Sequence, residues 1–228
     1  MKVSPIELAG VIDHTLLKPE ATNNDIVALC RQARVFGFAT VCINPCYIAL
    51  ARRELEKSPV GVCTVIGFPL GAGNPAVKAA EAAAAVRAGA TELDVVMNIG
   101  FLKSGFIRQV KDDLEGVLHA ARHEGQGVTV KIILEACLLT DEEKVEACRL
   151  AVAVGADYVK TSTGFSNGGA LVSDVRLLRK SVGSETGVKA SGGIRNLAAA
   201  LSMLNAGANR LGSSSGVAII NELKLQRT

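Results

Sequence analysis

Lys131, Lys160 and Lys189 recur at intervals of 29 residues, each preceded by Val and each inside a short β-branched run that reads as a buried strand. One βαβ unit takes about 30 residues, so the spacing predicts three successive parallel strands with their lysines at equivalent heights. Parallel strands are covered on both faces and normally apolar, and a buried ammonium is costly unless it is paired or put to use. Lysine loses its proton readily when buried or set beside another cation, and the neutral amine attacks carbonyls. The pattern therefore points to Schiff-base chemistry. Lys160 and Lys189, on adjacent strands about 5 Å apart, are expected to repel and to lower each other's pKa. Spacing alone does not rank them as nucleophile. Asp94, in Glu92-Leu93-Asp94-Val95-Val96, points the same way from a further strand. A carboxylate there would hold one amine charged and relay protons through water. The competing reading is a structural Lys–Asp network that fills one layer of a barrel.

The elements that must position these groups follow from the apolar runs. Strands are predicted at 11–16, 39–43, 60–67, 92–98, 128–134, 158–162, 187–190 and 210–213. After a short N-terminal helix, helical patterns occupy 23–36, 46–57, 75–88, 104–123, 141–154, 173–181, 196–206 and a short stretch from about 214. Gly89, Gly155 and Gly207 each close a helix and lead directly into a strand, as a left-handed C-cap requires. Eight βα units without a linker or a break in composition predict a closed (β/α)8 TIM barrel that spans 1–228 as one domain. An open doubly wound sheet would normally carry Gly-x-Gly-x-x-Gly after its first strand, and Ile12-Asp13-His14-Thr15-Leu16-Leu17 has no such motif.

In such barrels the active site lies at the carboxyl ends of the strands, and phosphate is often held by the loops after strands seven and eight. Ser191-Gly192-Gly193-Ile194-Arg195 and Gly212-Ser213-Ser214-Ser215-Gly216 occupy those two places. Adjacent glycines expose backbone N–H groups, and a helix amino end presents unpaired donors. One such loop is better read as a turn with a Ser cap; two in the expected places favour phosphate. Asp13, His14 and Thr15 end strand one, where polar groups could hold a substrate hydroxyl, although His14 reads better as an ordinary polar contact. Cys42 ends strand two at the same mouth and reads equally well as a small buried hydrophobe. Thr161, Ser162 and Thr163 follow Lys160 and either meet a ligand or satisfy the loop.

The net charge of +3 is scattered, without the basic cluster and interleaved aromatics of a nucleic-acid surface. Lys2, Glu7, Asp13 and His14 interrupt the first apolar stretch, and no run approaches the ~20 residues of a membrane span. Neither nucleic acid nor membrane is an expected partner, and a cytoplasmic location is expected. Six cysteines fit a compartment where thiols stay reduced. Cys42 and Cys46 lack the second half of a zinc site, so no metal is expected.

The strand-end motifs, taken together, carry a resemblance. Ile12-Asp13-His14-Thr15-Leu16-Leu17-Lys18-Pro19, Gly67-Phe68-Pro69-Leu70-Gly71, Glu92-Leu93-Asp94-Val95-Val96-Met97-Asn98-Ile99-Gly100, Lys131-Ile132-Ile133-Leu134-Glu135, Val159-Lys160-Thr161-Ser162-Thr163-Gly164-Phe165 and Val188-Lys189-Ala190-Ser191-Gly192-Gly193-Ile194-Arg195 resemble, in order, the deoxyribose-phosphate aldolase family. The resemblance implies a (β/α)8 class I aldolase that cleaves 2-deoxy-D-ribose 5-phosphate to D-glyceraldehyde 3-phosphate and acetaldehyde without a metal or other cofactor. It also implies that Lys160 is the Schiff-base lysine, Lys189 the cation that depresses its pKa, and Asp94 the proton-relay carboxylate. Asp13, Thr15 and Cys42 would line the sugar end. Gly192, Gly193, Ser214 and Ser215 would donate to phosphate, with Lys131, Thr163 and Gly212 completing the substrate-binding set. Two departures stand out: Ala136 replaces the family's usual Thr, and no Tyr follows Tyr158, whereas some members carry a terminal Tyr that assists proton transfer. A homo-oligomer, dimer or tetramer, is compatible with the sequence, which does not rank the two. The rival functions are a Schiff-base aldolase for a different phosphorylated aldehyde and a non-catalytic sugar-phosphate sensor. Joint retention of Asp94, Lys160 and Lys189 speaks against the sensor.

Overall fold

The computed structural model describes residues 3–226. Eight parallel strands pair in chain order and close on themselves: β1 (Ile12–Leu16), β2 (Thr40–Ile43), β3 (Gly61–Ile66), β4 (Glu92–Val96), β5 (Thr129–Ile133), β6 (Tyr158–Lys160), β7 (Gly187–Ser191) and β8 (Arg210–Ser213). Ile12 pairs with Leu211 to complete the ring. Every predicted strand is present, and the expected short helix Pro5–Ala9 precedes β1 behind a Ser4–Glu7 capping box. Thr22–Asp25 and Thr140–Glu143 start the helices Asn23–Phe36 and Asp141–Ala153 in the same reciprocal way, satisfying N–H groups that have no helical acceptor.

Alternation along each strand divides the side chains. Leu93, Val95, Val130, Ile132, Val159 and Val188 face outward into the large apolar layer beneath the helices. Leu17, Cys42, Cys63 and Val65 form a small second cluster. The residues between the outward-facing ones, Asp94, Lys131 and Lys189 among them, are left to point into the barrel, which is why each lysine follows a Val.

Two elements differ from the sequence reading. The helix expected over 104–123 is two helices, Ile99–Lys103 and Ile107–Glu124, because Gly105 takes a left-handed φ of 73° between them. The segment 46–57 opens as a 3₁₀ turn, Pro45–Tyr47, and its α-helix ends at Glu54. A further 3₁₀ turn, Ala136–Leu138, follows β5 behind Glu135, whose φ of 51° is unusual for a residue with a side chain.

The equal spacing of the lysines does not give equal heights. Lys160 pairs with Lys189, but Lys131 pairs with Tyr158, two residues before Lys160. At about 3.3 Å per residue, Lys131 lies about 7 Å deeper. Barrel closure staggers neighbouring strands, and that stagger is a property of the ring rather than of the repeat length.

Candidate active site

Inside the barrel the charged side chains meet around Asp94. Its Oδ2 accepts from Lys160 Nζ and from Lys189 Nζ, both at 2.7 Å, and its Oδ1 accepts from Lys131 at 3.0 Å. Lys189 also pairs with Asp13 Oδ2. Arg210 reaches Asp13 Oδ1 at 2.9 Å and Glu92 Oε1 at 3.2 Å, and Glu92 Oε2 lies 2.5 Å from Lys131. The contacts link four cations and three carboxylates, closed into a ring through Asp94, Lys189, Asp13, Arg210, Glu92 and Lys131 with Lys160 joined at Asp94, all within a barrel interior where unpaired charge is costly.

Electrostatics follows from these contacts. Burial, the largest single influence, pushes the Asp13 carboxyl up, but Lys189, Lys131 and Arg210 together outweigh it and hold its pKa at about 2. Burial opposes the Asp94 carboxylate in the same way, and Lys131, Lys160 and Lys189 drive its pKa well below the ordinary range. Burial disfavours the charged forms of Lys131 and Lys189, yet Asp94 and Asp13 raise both lysines above the usual value. The expectation that Lys189 and Lys160 lower each other is thus corrected for Lys189. Asp94 sits between them, Asp13 flanks Lys189 on the other side, and Lys189 stays charged. Lys160 touches one carboxylate oxygen and shares it.

Above this floor a cavity of about 390 Å³ opens at the carboxyl ends of the strands. Lys160, Thr15, Thr163, Gly192, Gly193, Gly212 and Ser214 line it, together with Arg195. Gly192 and Gly193 are consecutive left-handed residues, with φ of 88° and 79°. A Cβ on Gly192 would meet the backbone of Gly169 at 2.9 Å, so glycine is required there. Six predicted residues stand elsewhere. Asp13, Cys42, Asp94, Lys131 and Lys189 are fully buried below the cavity and do not line it. Asp13, Cys42 and Lys131, expected to contact substrate, thus sit beneath the cavity and not in its wall. The strand stagger sinks Lys131, Asp13 is taken up by Lys189 and Arg210, and Cys42 packs with Leu17, Cys63 and Val65. Ser215 also lies outside the cavity lining; its N–H donates to Ser213 Oγ at 2.9 Å, ahead of the helix Gly216–Leu225. His14 is the polar contact it was read as, bonded to Gln32 at 2.8 Å and packed on Phe38. The end of the chain that lacks a Tyr, Arg227-Thr228, lies outside the described residues.

Three residues were missed. Glu92 precedes Asp94 by two and so shares its face of β4, a signal the sequence did offer. Arg210, at the start of β8, offered none. Glu135 accepts from the Thr163 backbone N–H at 3.2 Å and from its hydroxyl, which fixes the loop after Lys160. Two groups of potential metal ligands exist among the described residues, Cys42 with Cys63 and Asp94, and Asp13 with Cys63 and Glu92. All three carboxylates are already engaged by lysine or arginine, and a dication there would face four existing cations.

The profile of the DeoC/LacD family of aldolases matches residues 8–222. Over 221 residues, 97% of either chain, the sequence is 55% identical to the deoxyribose-phosphate aldolase of Carboxydothermus hydrogenoformans. Identity to that of Lysinibacillus sphaericus is 57% over 215 residues, 94% of this chain and 95% of the relative. The tetrameric deoxyribose phosphate aldolase from Aeropyrum pernix superposes with a TM-score of 0.90 at 39% identity, covering 97% of this chain and 92% of that one. With a matching profile over most of its length and relatives above half identity, the chain belongs to the DeoC/LacD family of aldolases.

Proposed function

We propose that the protein is a class I aldolase that reversibly cleaves 2-deoxy-D-ribose 5-phosphate to D-glyceraldehyde 3-phosphate and acetaldehyde, with Lys160 as the imine-forming residue. One observation carries the assignment: of the three barrel lysines, Lys160 alone lines the cavity. Its neutral Nζ adds to the C1 aldehyde, and the carbinolamine loses water to give an iminium. Removal of the C3 hydroxyl proton drives the C2–C3 electron pair into the iminium. C3 becomes the aldehyde of glyceraldehyde 3-phosphate, and an enamine remains on Lys160. Protonation at C2 and hydrolysis release acetaldehyde. Asp94, bridging Lys160 and Lys189, stays ionised and relays the C3 hydroxyl proton through water at the cavity floor. The iminium is the electron sink, so the scheme requires no metal. The left-handed pair Gly192-Gly193, Ser214 and Arg195 present donors for the phosphate, and Thr15 and Thr163 face the sugar.

Self-association as a dimer or tetramer and a cytoplasmic location belong to the same reading. All six cysteines are free thiols, and sedimentation would give the assembly. The deciding experiment is borohydride reduction with substrate followed by peptide mass spectrometry. An adduct on Lys160 is expected; an adduct on Lys189, or none, would overturn the assignment.

A further inference from the structure

Arg210 and Glu92 belong to the charged ring but not to the cavity. Their side chains are 14% and 12% exposed, and neither lines the catalytic cavity. They sit on β8 and β4, the strands two places to either side of β6, which carries Lys160. Arg210 cannot lose its proton. Its guanidinium joins Asp13 to Glu92, and Glu92 hands the chain of contacts on to Lys131.

We propose that Arg210 and Glu92 are positioning residues that set the charge count of the ring, so that Lys160 is the member that gives up its proton. With every cation charged, four positive groups face three carboxylates, and the surplus is one. Loss of one proton balances the ring. Lys189 faces Asp13 and Asp94, Lys131 faces Glu92, Asp94 and, at 3.8 Å, Asp13, and Arg210 is fixed. Lys160 has only its share of Asp94 Oδ2, so its proton is held by the fewest anionic contacts. Four other titratable groups face this network from the elements packed around it. Cys63, from β3, is a thiol that donates to Asp94 Oδ1 at 3.3 Å, and burial raises its pKa. Cys42 lies on β2 with its Sγ 4.0 Å from Asp94 Oδ2, and Tyr158 on β6 lies beneath the Arg210 guanidinium. Glu135, in the loop after β5, is turned to Thr163.

This inference rests on the proposed function, and its test separates the two. Activity requires neutral Lys160, so the acidic limb of the kcat/KM profile follows the Lys160 pKa. Two strands is a separation of about 10 Å, and at an effective dielectric of about 20 one unit charge at that distance shifts a pKa by about one unit. Arg210→Met, which neutralises the ring, should move the limb up by about one unit and slow the enzyme about tenfold near pH 7. Glu92→Gln, which leaves the ring with a surplus of two, should move it down by a similar amount. The double variant restores the original count and should bring the limb back to its parental position, although both side chains are changed. Arg210→Lys, which keeps the charge, should leave the limb in place, and Arg210→Gln takes the place of Arg210→Met if that variant does not fold. Shifts of opposite sign that cancel in the double variant support the proposal, because a merely structural role would lower the rate without moving the limb. Limbs that stay put in the charge-removing variants of Arg210 and Glu92, or that move in the same direction in both, overturn it. Borohydride trapping on each variant identifies the adduct: an adduct on Lys160 with an unmoved limb sinks only this inference, whereas an adduct elsewhere sinks the assignment of Lys160 itself.

Discussion

Replacing Lys189 by Leu removes the cation nearest the proposed nucleophile. Lys160 and Lys189 each lie 2.7 Å from Asp94 Oδ2, so their nitrogens are at most twice that distance apart. At an effective dielectric of about 20, two unit charges about 5 Å apart repel by about 3 kcal/mol, or about two pKa units. Lys189 is held charged by Asp13 and Asp94, so this repulsion acts throughout the working pH range. Without it Lys160 prefers its ammonium form, less neutral amine is available near pH 7, and the rate there falls about 100-fold. Raising the pH should restore much of the loss. Desolvation acts in the opposite sense, because Leu makes the barrel interior less polar, but the two nitrogens share one carboxylate oxygen on adjacent strands, and the Coulomb effect should dominate. The assay is kcat/KM against pH, paired with the rate of borohydride trapping, which reports imine formation directly. An acidic limb displaced to higher pH in both measurements supports the reasoning. A uniformly lowered profile with an unmoved limb would refute it and make Lys189 a direct proton donor or a substrate-positioning group.

Chelator should leave turnover unchanged, since the iminium is the electron sink and the ring carboxylates already hold cations; activity lost in EDTA and restored by zinc would overturn the class I mechanism. Gly187→Ala would drive a Cβ into the Tyr158 ring, and such overpacking costs about 1–3 kcal/mol, read as a lowered Tm; an unchanged Tm would mean that the ring can move aside. The Asp13 pKa lies at about 2 against an ordinary 3.8, a depressed carboxylate whose stabilisation is present above pH 4 and is lost as pH falls towards 2. That difference corresponds to ~2 kcal/mol, so a denaturant titration series across this window should fall less steeply for Asp13→Asn than for the parent.

The sequence by itself determined the barrel and the kind of chemistry. Alternation of apolar residues with single charged ones, as in Val130-Lys131 and Leu93-Asp94, is local information, because side chains one residue apart on a strand face opposite sides. Helix caps such as Thr22–Asp25 and the left-handed Gly89, Gly155 and Gly207 after helices act within a few residues and were legible for the same reason. The loops Ser191–Arg195 and 212–216 could be placed at the mouth once eight units had been counted. What the tertiary structure alone decided was height and partnership. The stagger between β5 and β6 sets Lys131 below Lys160, and it arises from closure of the whole ring, which no single 29-residue interval encodes. Arg210 joins Asp13 across 197 positions of sequence, and no local pattern announces such a pair. Identical Val-Lys dipeptides thus acquire different roles: Lys189 meets two carboxylates and Lys131 three, and both stay charged, while Lys160 meets part of one and opens onto the cavity.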